Sequence, residues 1–586
     1  MCLCWMASLA VLTAAFFILF SSRLCEAASS GGSDMVLKNG VIYTAGSNDT
    51  AVEAVAVDKG KIVYAGGAEG VTEFIGAVTA VVDLGGKIAL PGFWDTHVHA
   101  PGAKLVELYQ INLYNCKSLE KAGKIIADYI SANPRKEIYY GGGLTLEMFS
   151  GEELLRGPRK ERLDEICPDR PVIITFIDLH GCWMNSRAFE AFGIGSDTRR
   201  PAGGVIEIDP QTGSPWGTLK ESAMELVEFE EFSAEQRIKA FKSFQKMMNS
   251  YGYVGVMAID APFESLGALR ERGELTLRVA GSAVLDPRKD IAEQFGLLKK
   301  NREKYNCDLI KAGVAKIFVD GVVEHGTAFL REPYRLGGLG FDGRGVFLWD
   351  KSELAKAFAM ANNEGFQLHV HSIGDAATGN VLDALEEARK VTGDGDFRNT
   401  ITHLQLVSEG DYARFRRLGV IANVQPYWAF KMPFTWENID LPKLGERAER
   451  QHPIGSFFKA GVTVAASSDY PVTIEPDPMC AVETAVTRDI DNQAYCDIFG
   501  TGNCGGDKYV LDKNESVSVA QILKAFTIDG AYSTFNERIT GSIEVGKDAD
   551  IVILDNDLFK IEPKLIDTVK VCKTILKGEI VYDIEI

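Results

Sequence analysis

Basic runs are absent from this chain. It has 62 Lys and Arg against 81 Asp and Glu, a formal net charge of -19, and no stretch collects positive charge in one place, which argues against a nucleic-acid partner. Histidine is scarce, at eight residues in 586, so each position can be weighed singly. A basic segment is missing even at the N-terminus, where Leu3 to Phe20 is almost wholly apolar and the small residues Ser21, Ser22, Ala27 and Ala28 follow. This is the texture of a signal peptide or a membrane anchor, and an apolar run near 18 residues sits on the border between the two. Either form of the leader, taken as residues 1–28, routes the chain to the secretory pathway: the endoplasmic reticulum lumen, a membrane-anchored state or secretion. Membrane contact would run through that segment.

What is there is ample apolar material, 46% of the residues, enough for one large catalytic domain with additions. Eight of the 11 cysteines lie outside the leader. Cys496 and Cys504 flank a short Gly-rich loop and suit either a local disulfide or two buried thiols. Asn48-Asp49-Thr50 and Asn514-Glu515-Ser516 fit the pattern of a glycoprotein.

Short β-type runs broken by glycine fill Met35 to Leu90, and the same texture returns from Ile551 to Tyr582. Residues 35–90 and 541–586 are therefore expected to pair as one composite β-sandwich; two separate β-appendages are the alternative. Between them, over 91–540, short apolar runs alternate with helix-length amphipathic stretches, the signature of βα repeats and a parallel sheet. Eight strands are predicted: Ala89 to His97, Val254 to Ile259, Leu275 to Gly281, Val314 to Asp320, Gln367 to His371, Thr400 to Leu404, Val420 to Val424 and Val462 to Ser468. Eight closes a (β/α)8 barrel of the TIM type, an α/β fold. Residues 102–250 exceed one βα step and read as an insertion over the barrel mouth, with strands of its own at Glu137 to Gly142 and Pro171 to Asp178.

Histidines end several of these strands. His97 and His99 are one residue apart in an extended segment, so both imidazoles project to one side, and paired neutral imidazoles suit a divalent transition metal. His371 and His403 end the fifth and sixth strands, and Asp469 ends the eighth. Side chains at the C-terminal ends of barrel strands meet on one face, so these residues form one predicted cluster. Each taken alone could be a core histidine or a helix-capping aspartate.

Lys316 lies inside an apolar strand, where an unpaired ammonium is costly. Two readings stay open: a carboxylated lysine whose carbamate bridges two cations, or a salt bridge to Asp320 on the same strand face. His369 puts a second imidazole on the inward face of the fifth strand as a rival to His371. His325 stands in a loop after the fourth strand and receives no role.

The motifs Pro91-Gly92-Phe93-Trp94-Asp95-Thr96-His97-Val98-His99, Lys316-Ile317-Phe318-Val319-Asp320-Gly321 and His371-Ser372-Ile373-Gly374-Asp375 carry a resemblance. So do Thr402-His403-Leu404-Gln405-Leu406, Val424-Gln425-Pro426, Ser468-Asp469-Tyr470-Pro471-Val472 and the run from Gly541 to Asp550. In this order they make the chain, from Met35 onward, similar to the amidohydrolase superfamily and its amidohydrolase-3 family, which includes N-substituted formamide deformylase. The leader in front of such a chain resembles a plant subgroup, the Long After Far-Red 3-like proteins.

The resemblance implies a metal-dependent hydrolase with two divalent metals, usually zinc. His97 and His99 would bind the first, His371 and His403 the second, with Lys316 between and Asp469 as metal ligand and proton shuttle. His180 in Leu179-His180-Gly181 would line the substrate pocket, and Glu221 is a rival bridging carboxylate; loop packing and a solvated helix start are their plainer readings. Two cations sharing a water would lower its pKa enough to supply hydroxide, attacking a non-peptide carbon-nitrogen bond of amide type in a small-molecule substrate. Trp183 and Trp216 in the insertion hint at an apolar group in the pocket. A catalytically silent binding or signalling protein on the same fold, and an ester or phosphoester hydrolase, remain alternatives. The oligomeric state, a homo-oligomer included, is not set by any motif.

Overall fold

The computed structural model describes residues 32–46, 50–201, 203–340, 342–489 and 507–584. The leader, Asn48 and the Cys496 and Cys504 pair lie outside them. Eight parallel strands form the central sheet: β1 (Phe93–Val98), β2 (Tyr253–Ala258), β3 (Arg278–Val284), β4 (Ile310–Phe318), β5 (Gln367–Ser372), β6 (Thr400–His403), β7 (Ile421–Val424) and β8 (Val464–Ala466). They pair in sequence order. The seam between β8 and β1 is bridged by Asp469 N donating to His97 O at 2.9 Å and His99 N donating to Tyr470 O at 2.8 Å. Thr96 Oγ1 adds a hydrogen bond to Ala466 O, 2.8 Å.

These strands are buried along both faces because helices cover the outside, which is why they read as apolar runs rather than alternating ones. The helices that follow them include Ala234–Ser250, Phe263–Glu271, Ile291–Tyr305, Lys351–Asn363 and Asp375–Thr392. Ala234–Ser250 starts at a capping box, with Ser233 accepting from Gln236 N and Gln236 answering on the Ser233 N–H. Its apolar side, Ile238, Phe241, Phe244 and Met248, joins the same core as Val256 and Val279. That helix is the one following β1, so the segment between β1 and β2 ends as a barrel element rather than as insertion throughout.

The run Ala89 to His97 is two strands and not one. Ile88–Pro91 pairs with Val41–Tyr43 and with Ile551–Leu554 in a six-stranded sheet, and only Phe93–Val98 enters the barrel. Gly92 marks the change: a Cβ there would stand 2.3 Å from Val254 Cγ1, so only glycine lets the chain pass from one sheet to the other at this place. The six-stranded sheet joins strands from both chain ends, and a four-stranded sheet from the N-terminal side packs near it through Leu37, Val55, Ile551 and Ile575.

The insertion carries its own six-stranded sheet, from Ile111–Asn112 to Pro215–Lys220, with apolar clusters around Ile126, Tyr139 and Val172 on one side and Ile173, Met184 and Leu219 on the other. Trp183 and Trp216 belong to this body. Trp183 Nε1 donates to Arg159 O at 2.9 Å, Trp216 Nε1 donates to Gly157 O at 2.7 Å, and the Arg159 guanidinium stacks on Trp216 at 3.6 Å. Neither indole lines the barrel cavity, so the sequence-based hint from these two residues is corrected: they are packing groups.

Candidate metal centre and cavity

Strand register sets the site in two levels. Lys316 of β4 is the neighbour of His369 of β5, and one step further out Phe318 is the neighbour of His371. His403 ends β6 beside Ser372. Because inward side chains recur every second residue, Lys316 and His369 share an inner level and Phe318 and His371 an outer one.

His97, buried completely, bridges the levels. Its Nδ1 lies 2.7 Å from His369 Nε2, and its Nε2 lies 3.2 Å from Asp469 Oδ1. His99 Nε2 stands 3.3 Å from the same oxygen, and His403 Nδ1 3.9 Å from Asp469 Oδ2. The rings of His371 and His403 are 4.5 Å apart between centroids. His97, His403 and Asp469 hold their donor atoms within 4.8 Å of one another, a spacing that fits one cation. The structure thus brings His97, His99, His371, His403 and Asp469 together.

Lys316 is fully buried, and its Nζ has no hydrogen-bond partner among the described residues. Asp320 is taken by other donors: the N–H groups of Phe329, Ile373 and Gly374, at 2.9, 3.1 and 2.9 Å. The Lys316–Asp320 salt bridge is therefore not formed. His97 Nε2 and Asp469 Oδ1 are also buried without a hydrogen-bond partner. Buried polar atoms are almost always satisfied, so three such atoms in one cluster describe a donor set suited to a metal.

The electrostatics agree with neutral imidazoles, the form that ligates. Burial first, then Lys316 and neighbouring histidines, push His97, His369 and His403 well below the ordinary range; for His371 the charge on His180 follows burial. Burial lowers Lys316 to about 7 against the pull of Asp469. At neutral pH part of that amine is uncharged, the state a carbamate forms from.

The backbone is strained at the same residues. His403 has φ 77, Asp469 φ 58 and Glu221 φ 51, left-handed values that non-glycine residues adopt rarely and that gather at functional sites. Gly321 is needed next to them: a Cβ there would lie 2.1 Å from Thr327 Oγ1 and 2.3 Å from Glu221 Oε1.

Glu221 is paired on both oxygens, with His180 Nδ1 at 2.8 Å and Thr327 Oγ1 donating at 2.6 Å. His180 lines the cavity, its ring 5.4 Å from that of His371. His325 is buried, with its Nε2 2.9 Å from Asp178 Oδ2 of the insertion and its ring 5.6 Å from that of Phe176. Two residues act by positioning: His369, which the sequence offers only as a rival to His371, and Gln425, which sequence reasoning missed. His369 contacts His97 rather than the cavity. Gln425 donates through Nε2 to Ser467 Oγ at 2.8 Å, which turns its Oε1 toward His403 Nδ1 at 3.2 Å. That contact leaves His403 Nε2 as the lone-pair nitrogen. Only the motif Val424-Gln425-Pro426 hinted at it.

Above the cluster lies a cavity of about 330 Å³, in the range of small-molecule sites. His99, His371, His403 and Asp469 line it together with Leu146, Phe176, Phe318, Trp428, Phe430 and Met432. Trp428 stacks on His403 at 6.0 Å. Leu146 and Phe176 come from the insertion, so that body supplies part of the cavity wall.

The model of the amidohydrolase family matches residues 80–582, and the chain belongs to that family. It is 28% identical to the protein LONG AFTER FAR-RED 3 of Arabidopsis thaliana, over 89% of this chain and 87% of that one. It is 26% identical to the N-substituted formamide deformylase of Arthrobacter pascens, over 94% and 98% of the two chains. Among solved structures, an uncharacterized metal-dependent hydrolase from Pyrococcus furiosus is similar with a TM-score of 0.64 and 26% identity, over 90% of this chain and 99% of that one.

Proposed function

We propose that the chain hydrolyses a non-peptide carbon-nitrogen bond of amide type in a small molecule, at a centre for two divalent metals, zinc by donor chemistry. The observation that carries this reading is the convergence of His97, His99 and His403 on the single carboxylate Asp469, with His371 packed against His403 and orphaned polar atoms among them, in a chain of the amidohydrolase family. His97, His99 and Asp469 would hold one metal and His371 and His403 the other, with Lys316, carboxylated, between them. Glu221 is the weaker bridging candidate because both its oxygens are occupied.

Metals held there would polarise the scissile carbonyl and acidify a water. Asp469 takes up the proton released by that water on a carboxylate oxygen and hands it to the departing nitrogen. His369 and Gln425 keep His97 and His403 turned so that a lone pair faces the cluster. His180, with its partner Glu221, lines the cavity within reach of a substrate carbonyl or leaving group, and the apolar wall excludes bulk water.

Elemental analysis of the purified chain, together with amine release from a panel of amides and esters, tests this. About two metals per chain are expected, with loss of metal and a drop in amide hydrolysis of about 10³-fold or more in His97→Ala. Lys316→Ala should retain at most one metal. A wild-type chain that stays metal-free after reconstitution overturns the reading, and ester cleavage without amide cleavage moves it to the other bond.

A further inference from the structure

The cavity also takes in carboxylates that this chemistry does not use, Glu147, Glu324 and Asp440 among them. Asp440 ends a π-helical turn, Trp436–Asp440, closed by Leu441 N donating to Trp436 O. Such turns are rare and often occur where a side chain is re-aimed at a functional site. The residue is 7% exposed, lines the cavity, and its Oδ1 has no hydrogen-bond partner among the described residues. Gln451 is its hydrogen-bonding neighbour, and among the described residues the charge acting on it is that of Glu324, of the same sign. Lys443, in the next short helix, faces Lys220, Glu324 and Glu207 instead.

An open carboxylate oxygen in an apolar wall, beside a second acid, is costly unless a cation arrives. Burial pushes Asp440 up to about 8, and burial also raises Glu324 and Glu147. A wall of polar groups connects this corner to the imidazoles. Gln405 follows His403 by two positions, lines the cavity and donates to Gln451, the neighbour of Asp440. Phe430, Met432 and Ile439 line the same cavity with apolar surface.

We propose that Asp440, with Glu324 as its neighbour, is a distal recognition site for a cationic group of the substrate, an ammonium or amidinium joined to the scissile amide by an apolar spacer. The reading as an amidohydrolase enters only in saying which end of the molecule reacts. The cation would donate a charge-assisted hydrogen bond to Asp440 Oδ1, and the apolar lining would cover the spacer. Neutral amides of the same length would leave Asp440 Oδ1 without a partner.

The test uses the full chain, calorimetric binding, and two probe series of graded spacer length: acetamides ending in a primary ammonium and their methyl-ended isosteres. Amine release is followed in the same samples. At one spacer length the ammonium probe should bind about tenfold tighter or more, the size of one charge-assisted hydrogen bond, and in Asp440→Asn that ratio should fall to about one. Glu324→Gln should reduce it less. A thermal melt shows whether each variant folds, and a chain in which Asp440→Asn unfolds is judged on Glu324→Gln and the wild-type ratio. Equal affinity for both series at every length, or a ratio unchanged in Asp440→Asn, overturns the proposal. A binding ratio that holds while no amine is released rejects the hydrolase reading and leaves the cation site standing.

Discussion

Arg278 and Lys316 are both cations buried inside neighbouring barrel strands, and the protein treats them in opposite ways. Arg278 opens β3 at the N-terminal side of the barrel. Its Nε donates to Asp550 Oδ2 at 2.7 Å and its Nη2 to Asp548 Oδ2 at 2.5 Å. Asp550 in turn accepts from Thr540 Oγ1 and Lys577 N, and Asp548 also pairs with Lys61. Every charge in that cluster is answered, and the Gly546-Lys547-Asp548-Ala549-Asp550 motif is thereby a clamp between the barrel and the sheets built from the chain ends. Lys316, near the end of β4, has no hydrogen-bond partner among the described residues; its Nζ meets only the face of Phe318, 4.5 Å from the ring centroid, and the pull of Asp469. In a βα barrel the N-terminal face carries stability and the C-terminal face carries chemistry. The contrast shows what that division costs: the site keeps buried polar atoms unsatisfied so that they can meet something that is not protein.

The contrast can be broken most sharply at the stable end. Arg278→Met leaves Asp548 and Asp550 buried around a vanished charge and should cost about 3–5 kcal/mol in denaturant unfolding, while metal content per folded molecule is unchanged. A variant that folds as stably as wild type would mean the clamp is not made.

The His180–Glu221 pair lies between the two extremes, charged and paired but inside the cavity. Burial works against the charge on His180, but Glu221 and then Asp178 outweigh it and raise the imidazole to about 9. A raised histidine stabilises the fold fully below its unfolded value, about 6.5, and that contribution is lost as pH rises through about 9. On the metal-free chain the loss should be roughly 2–3 kcal/mol across that window, and His180→Gln should lack it. Parallel stability curves for the two chains would show the pair to be absent.

The smallest effect comes from removing the unanswered cation itself. Lys316→Met replaces a buried ammonium by a side chain of similar length and should stabilise the metal-free chain by about 1–2 kcal/mol in thermal or denaturant unfolding, whereas mutation of a structural cation such as Arg278 destabilises. Destabilisation by Lys316→Met would mean that the lysine has a structural partner after all.

Much of the barrel was legible from the sequence because buried parallel strands are continuous apolar runs with helix-length spacers, a local pattern. The error at Ala89 to His97 came from the same source: two strands of different sheets meet at Gly92, and both are apolar, so periodicity cannot separate them. The strand-ending histidines and the lysine in an apolar strand stood out because each violates its local surroundings. What was missed or misread breaks no local rule. Gln425 follows β7 as an ordinary amide, Asp440 sits in a polar stretch, and Trp183 and Trp216 look like pocket residues until the insertion's own core claims them.

By itself the sequence determined the family, the order of barrel strands and the residue types available for a metal centre, since those depend on composition and spacing along the chain. Only the tertiary structure decided which atoms meet. It put His369 behind His97 and His371 in the cavity, filled both oxygens of Glu221, gave Asp320 to backbone donors and left Lys316 without a hydrogen bond. These outcomes rest on strand register and on which partner arrives first at each buried polar atom, and both are properties of segments hundreds of residues apart.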